Sequence, residues 1–208
     1  MDVIKEGCYK GTRILLGDEK PNYIQKCRGY LIEKGFIEIQ IPIIQLSKMF
    51  NDKVGVENNN MMYNFKDRGS RDICLSPEYT AIIQNLSNTY FKNDKNVKVF
   101  YVAECFRGEK PQKGRYRQFT QLGVEVINPT QLYSLELMAL DLCMMFSKTS
   151  EFVLNTNVTR GLDYYNEGKG FEISCEELGN SKQICGGGDY KGGVGFAIGV
   201  DRLFEIIK

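Results

Sequence analysis

Within eleven residues the sequence places five basic side chains: Arg107, Lys110, Lys113, Arg115 and Arg117. An almost uncharged alternation follows, "QFTQLGVEVI", carrying Gln121 and Glu125. Clustered guanidinium and ammonium groups attract phosphates and carboxylates, and guanidinium does so through a planar donor fork. As a strand, the second half puts Phe119, Gln121, Gly123, Glu125 and Ile127 on one face and Thr120, Leu122, Val124 and Val126 on the other. The second set is apolar and belongs against helices. The first combines a ring, an amide, a gap and a carboxylate. Pattern alone leaves two readings open: a solvated hairpin tip above a solvated strand face, or an anion-binding loop beside a polar pocket.

Composition narrows the chemistry further. Net charge is +1, so no global basic field draws in nucleic acid, and anion binding must come from local clusters. The absence of histidine removes every Ser/His and Cys/His nucleophile pair and any imidazole acid or base. Catalysis must then rest on Arg, Lys, Glu, Asp and backbone groups. Without histidine a Cys/His zinc site is excluded, and the seven cysteines, scattered with no CxxC pair, give a four-cysteine site no suitable spacing. They read as reduced, mostly buried thiols. "MDVIKEGCYK" has no apolar core for a signal peptide, and no apolar run approaches the length of a membrane span. The expectation is a soluble cytoplasmic protein without membrane contact, and 208 residues suit a single domain over 1–208.

The elements that must position these residues are legible in the periodicities. "KPNYIQKCRGYLIEKG" has apolar residues at Tyr23, Ile24, Cys27, Tyr30 and Leu31 and a stop at Gly35, an amphipathic helix. "FIEIQIPII" reads as a strand, with Pro42 at its end or on a sheet edge. Short strands are expected around Met62–Phe65 and Asp72–Leu75. A helix follows in "SPEYTAIIQNLSNTYF", with Ser76 as N-cap, Pro77 in first position and Glu78 in the first turn. "VKVFYVAECF" and "QFTQLGVEVI" form an antiparallel pair joined by the basic loop. Leu132, Leu135, Ala139, Leu142 and Phe146 predict a long helix. The last sixty or so residues turn to short strands and glycine turns, closing as strand, turn and helix in "GVGFAIGVDRLFEIIK". This order suits an α+β domain, an antiparallel β-sheet flanked by helices.

"FRGEKPQKGRYRQFTQLGVEV" resembles the second signature motif of class II aminoacyl-tRNA synthetases, in the form used by histidyl-tRNA synthetases. "GFAIGVDRL", Gly195 to Leu203, resembles their third motif, and "FIEIQIPII" with Pro42 the weaker first. "RGLDYY", Arg160 to Tyr165, "CGGGDYKGG" from Cys185, and "KGTR", Lys10 to Arg13, are similar to segments of the histidyl branch. The matches follow family order along nearly the whole chain. The resemblance implies a class II synthetase-type fold that uses ATP with Mg2+ to activate an amino acid, histidine above all. Arg107 would hold the α-phosphate and the substrate carboxylate. Arg115 and Arg202 would contact the terminal phosphates, Phe119 would stack on adenine, and Glu109 would meet the adenine edge. Arg160 would act as a catalytic cation at the α-phosphate, stabilising developing charge. Glu78 and Thr80, helped by Gln121, would take the ammonium group. Glu125 and Tyr165 would read the imidazole, with Tyr190 closing the pocket.

Taken singly, each of these residues has a plainer reading. Arg107, Arg115 and Arg117 would be loop charges, Glu78 a first-turn carboxylate favoured by the helix dipole, and "CGGGDYKGG" a flexible loop. The chain also departs from the family pattern. "LRPEGTA" is here "LSPEYTA", "GGRYDG" becomes "GGGDYKGG", and "FHQ" becomes "FTQ". These changes put Tyr79 beside the expected ammonium site, Asp189 where arginine is expected, and Thr120 on the strand face away from the ligand. Against full histidyl enzymes the chain resembles a bare catalytic core, without the insertion after the long helix and without an anticodon-binding domain. Such a core is expected to make an aminoacyl-adenylate, to meet a tRNA acceptor stem, and to pair as a homodimer through the strand bearing Pro42. The alternatives are a histidine-sensing paralogue that regulates ATP phosphoribosyltransferase, and a ligase with a non-tRNA acceptor.

Overall fold

The computed structural model describes residues 2–3, 13–14, 17–50, 60–110, 114–147, 150–158, 165–179 and 182–206, with the backbone alone at 2–3, 13–14 and 165–167. Strands β1 (Asp2–Val3) and β2 (Arg13–Ile14) pair antiparallel. Helix α1 (Glu19–Glu33) follows, burying Tyr23, Cys27 and Leu31 along one stripe as its spacing predicts. It stops at Gly35, whose φ of +81° lies in the left-handed region that glycine enters without steric cost. There the Phe36 amide donates to the Leu31 carbonyl and reverses the chain.

The expected strand at "FIEIQIPII" divides between two sheets. β3 (Ile37–Glu38) joins the large sheet, and β4 (Ile44–Leu46), after Pro42, joins a small one. Proline has no ladder amide to give, so the chain changes partner at it. β5 (Asn64–Lys66) and β6 (Asp72–Leu75) complete the small sheet in the order β4-β6-β5.

Helix α2 spans Thr80–Asn88, later than the expected start at Ser76 and Pro77. Ser76 is held extended on both sides: its amide donates to the Ile43 carbonyl and its carbonyl accepts from the Phe106 amide. Its hydroxyl bonds the Glu78 carbonyl. The capping function passes to Glu78, whose carboxylate accepts from the Thr80 amide at 2.7 Å and the Ala81 amide at 3.0 Å.

β7 (Val97–Phe106) and β8 (Gln118–Ile127) form the expected antiparallel hairpin, paired from Val97 opposite Ile127 to Phe106 opposite Gln118. Helix α3 is Glu136–Met144, shorter than the long helix expected, and Leu132 is 97% exposed. Asn96 Oδ1 accepts from the Thr130 amide and ties the chain before this helix to the start of β7. These bonds win over the apolar period until Leu135. β9 (Phe152–Val158), β10 (Tyr165–Cys175), β11 (Gln183–Tyr190), β12 (Gly193–Gly199) and helix α4 (Val200–Ile206) complete the described elements.

The large sheet runs β3-β7-β8-β12-β11-β10-β9; β3 is parallel to β7 and every other pairing is antiparallel. Leu122, Val124 and Val126 of β8 pack with residues of α1, α3 and α4 on one face, as alternation predicts. On the other face α2 and the small sheet cover Val99, Tyr101 and Cys105 of β7. This is the α+β architecture read from the sequence, an antiparallel sheet flanked by helices. No described helix is long and apolar enough to cross a membrane.

Candidate active site

The α2 side of the large sheet is floored by glycine. Register places Gly123 of β8, Gly193 and Gly195 of β12, and Gly186 and Gly188 of β11 on this side, among the partners of Glu125 and Tyr190. A methyl group on Gly123 would collide with the Tyr101 ring, one on Gly195 with the Glu125 carboxylate, and one on Gly193 with the Tyr190 ring. The missing side chains therefore make room for three particular polar ones.

Glu125 is the centre of this arrangement and is wholly buried. The Tyr190 hydroxyl donates to one carboxylate oxygen at 2.8 Å, and the Thr80 hydroxyl donates to the other at 3.2 Å. Burial pushes the Glu125 pKa up to about 8, and the bonds from Tyr190 and Thr80 pull the other way. Glu78 adds to the rise. Burial thus favours the protonated carboxyl, and the two hydroxyl bonds favour the carboxylate. Glu78 itself is buried and committed to the two α2 amides, so its carboxylate reaches the site from a fixed cap.

Gln121, two residues before Gly123, is half-buried, and its amide oxygen lies 3.3 Å from the Cys105 sulfur. Burial raises the Cys105 pKa, which keeps the thiol protonated and able to donate. Tyr79, fully buried, donates its hydroxyl to the Glu104 carbonyl at 2.8 Å and packs on Tyr101 with ring centroids 5.1 Å apart. It fills core beneath the site. Asp189 stands opposite Val194 in the ladder and shares its face, the α3 side of the sheet, away from Glu125. Asp189 therefore lies outside the pocket in which the sequence pattern put it in question. It borders a groove of about 430 Å³ together with Pro129, Thr130 and Tyr133, and burial raises its pKa.

The basic residues converge at the other end of β8. Arg107 donates through Nε to the Pro77 carbonyl at 2.9 Å, and its guanidinium carbon lies 5.2 Å from the centre of the Phe119 ring. The Arg115 Nε is 3.7 Å from a Glu109 carboxylate oxygen. Arg202, in the first turn of α4, donates from Nε to the Gly114 carbonyl at 2.7 Å and from a terminal nitrogen to the Gln183 carbonyl. Burial lowers the Arg202 pKa from its ordinary value; Glu109 opposes this, while Arg107 and Arg115 add to it. Three guanidinium groups and one carboxylate thus share a region, where a polyanion would relieve mutual repulsion.

The structure brings together Glu78, Thr80, Gln121, Glu125 and Tyr190 in one group, and Arg107, Glu109, Arg115, Phe119 and Arg202 in another. Arg160 lies outside the described residues. Tyr165 is described in its backbone alone, paired with Tyr190. Residue-by-residue reading missed Tyr101 and Cys105. The signal for both was the alternation of β7, which sets them opposite Gly123 and Phe119.

A family profile described as histidyl-tRNA synthetase matches residues 21–151. The histidine–tRNA ligase of Pyrococcus abyssi is 38% identical over 127 residues, covering 59% of this chain and 30% of that protein. The enzyme of Archaeoglobus fulgidus is 28% identical over 306 aligned positions, covering 94% of this chain and 75% of the relative. That alignment is longer than the chain itself, so it spans residues this chain lacks. Among solved structures, apo histidyl-tRNA synthetase of S. aureus superposes with a TM-score of 0.70 at 25% identity, over 98% of this chain and 70% of that one. Pyrrolysyl-tRNA synthetase of Desulfitobacterium hafniense, at 17% identity and TM-score 0.68, shares the fold. The profile match covers well over half of the sequence: the chain belongs to the histidyl-tRNA synthetase family.

Proposed function

We propose that this chain is the catalytic core of a class II ligase that activates histidine with ATP and passes it to the acceptor stem of tRNA. The observation that carries this reading is Glu125, wholly buried over a glycine floor and flanked by Thr80 and Tyr190, on the strand whose other end meets Arg107, Arg115 and Arg202. A buried carboxylate with hydrogen-bonding neighbours suits a substrate carrying polar N–H groups and rejects analogues that leave it unpaired.

In the reaction an amino-acid carboxylate oxygen attacks the α-phosphorus of ATP, and the bond to pyrophosphate breaks. Both reactants are anionic, so fixed cations are required. Arg107 holds the α-phosphate and the carboxylate, and Arg115 and Arg202 take the terminal phosphates. Phe119 carries adenine on its ring and Glu109 meets the adenine edge. Glu78, Thr80 and Gln121 hold the ammonium group. Glu125, Tyr165 and Tyr190 read the imidazole, and Arg160 adds charge at the α-phosphate. Mg2+ would enter with ATP, held mainly by phosphates and water, and would neutralise phosphate charge.

We place the reaction in the cytoplasm and in a homodimer. Ile37, Ile43, Ile44, Leu46 and Phe65, on and around the strands that flank Pro42, are exposed apolar side chains suited to a second copy. Sedimentation as a monomer would remove the dimer. The whole reading is tested by ATP–pyrophosphate exchange with each amino acid in turn. Histidine-dependent exchange that is lost in Arg160→Ala is the expected result. Histidine binding without exchange would turn the reading into that of a sensor.

A further inference from the structure

We propose that Lys20 is a positioning residue for Arg202. On the helix side of the sheet, opposite the glycine floor, stands a polar cluster that no step of the proposed reaction uses. Asp201 is 1% exposed, and its carboxylate accepts from the Thr120 amide at 2.5 Å and from Lys20 Nζ at 2.9 Å. Lys20 Nζ also lies 2.7 Å from the Thr120 hydroxyl, which donates to Glu104 at 2.6 Å. Gln118 completes the cluster by donating to the other Glu104 oxygen.

The sheet geometry explains why Asp201 is there. β12 ends at Gly199, opposite Gln121, so the next residue on β8, Thr120, has no ladder partner on that side. The Asp201 carboxylate supplies one, and this fastens the first turn of α4 to β8. The next residue is Arg202, which reaches the other way, to the Gly114 and Gln183 carbonyls. Two consecutive side chains thus brace the start of α4 from opposite directions, and the placing of one fixes the placing of the other.

Lys20 is the cation of this brace. Its side chain is 15% exposed, pairs with Asp201 directly and meets Glu104 through the Thr120 hydroxyl. Without it, the buried Asp201 carboxylate loses its cation, and its hold on the Thr120 amide weakens. Arg202 then moves with α4. Glu125 sits further along β8, and its partners Thr80 and Tyr190 stand on α2 and β11, which the brace does not touch.

The inference rests on the proposed use of ATP, and the test separates the two. Titration calorimetry of the full chain with ATP–Mg2+ and, separately, with histidine is carried out for wild type, Lys20→Met, Lys20→Arg and Thr120→Val. Lys20→Met is expected to weaken ATP binding about 10-fold, since small misplacements of a positioning group have large effects, while histidine affinity stays within about 2-fold. Lys20→Arg should restore most of the ATP affinity. Thr120→Val, which keeps the amide to Asp201 and removes only the bridging hydroxyl, should give a smaller loss in the same direction and covers the case in which Lys20→Met does not fold. Equal weakening of both ligands, or unchanged ATP affinity in the two deletion variants, would overturn the inference and leave the ligase reading in place. A wild-type chain that binds no ATP would overturn both.

Discussion

At the Glu125 end of the site Glu125, Thr80 and Tyr190 are bonded to one another, whereas at the Arg202 end Arg107 and Arg202 are held by backbone carbonyls. Glu125, Thr80 and Tyr190 form a closed set on the rigid middle of the sheet, and the surrounding glycines leave no slack. Arg107 leans on the Pro77 carbonyl, and Arg202 on the carbonyls of Gly114 and Gln183. A guanidinium so placed keeps donors for an incoming phosphate and can change carbonyl for phosphate oxygen with little rearrangement. The difference teaches that one end is preorganised for shape and the other for charge. The first should fail through packing and protonation, the second through lost electrostatics.

The sharpest break between the two ends is expected from Gly195→Ala. The new methyl group collides with the Glu125 carboxylate, and overpacking of this kind costs about 1–3 kcal/mol. Thermal denaturation should show that loss, and histidine-dependent exchange should vanish while ATP binding survives. Arg202→Ala should do the reverse, lowering exchange by about 10²-fold or more with histidine affinity little changed, because it removes charge stabilisation from the nucleotide end.

Titration of Glu125 gives a subtler contrast. Its folded pKa of about 8 lies above that of an unfolded glutamate, so between about pH 4.5 and 8 the folded state holds the extra proton. This group's contribution is most favourable below that window, declines as pH rises by at most about 1.4 kcal/mol per unit, and levels off above pH 8. Urea unfolding of wild type and Glu125→Gln across pH 5–9 should show the decline in the first and its absence in the second. The smallest effect belongs to Arg115→Ala. Its pairing with Glu109 at 3.7 Å is half-exposed, so thermal stability should change by less than about 1 kcal/mol while ATP affinity falls modestly.

Much of the site was legible because β8 alternates strictly. Once Leu122, Val124 and Val126 face the helices, Gln121 and Glu125 must face the other way, and the ladder fulfils this residue by residue. The Tyr101 position was equally available in β7 but carried no chemical flag, since a buried tyrosine in a strand is ordinary. Helix starts were read less well. Ser76 and Pro77 have the composition of a cap, yet Ser76 is committed to Ile43 and Phe106, contacts distant in sequence that no local propensity reports. The long helix expected over 130–148 failed for a similar reason, with Asn96 holding Thr130 in a turn.

The sequence by itself determined which face of β8 is polar, where glycine must stand, and which basic residues share a loop, because alternation and residue chemistry are local properties. Only the tertiary structure decided that Tyr79 is core, that Asp189 turns away from the pocket, and that Lys20, more than a hundred and eighty positions before Asp201, meets it across the sheet. Those outcomes depend on strand register and on which helix lies over which face, and both are settled by long-range packing that no window of sequence contains.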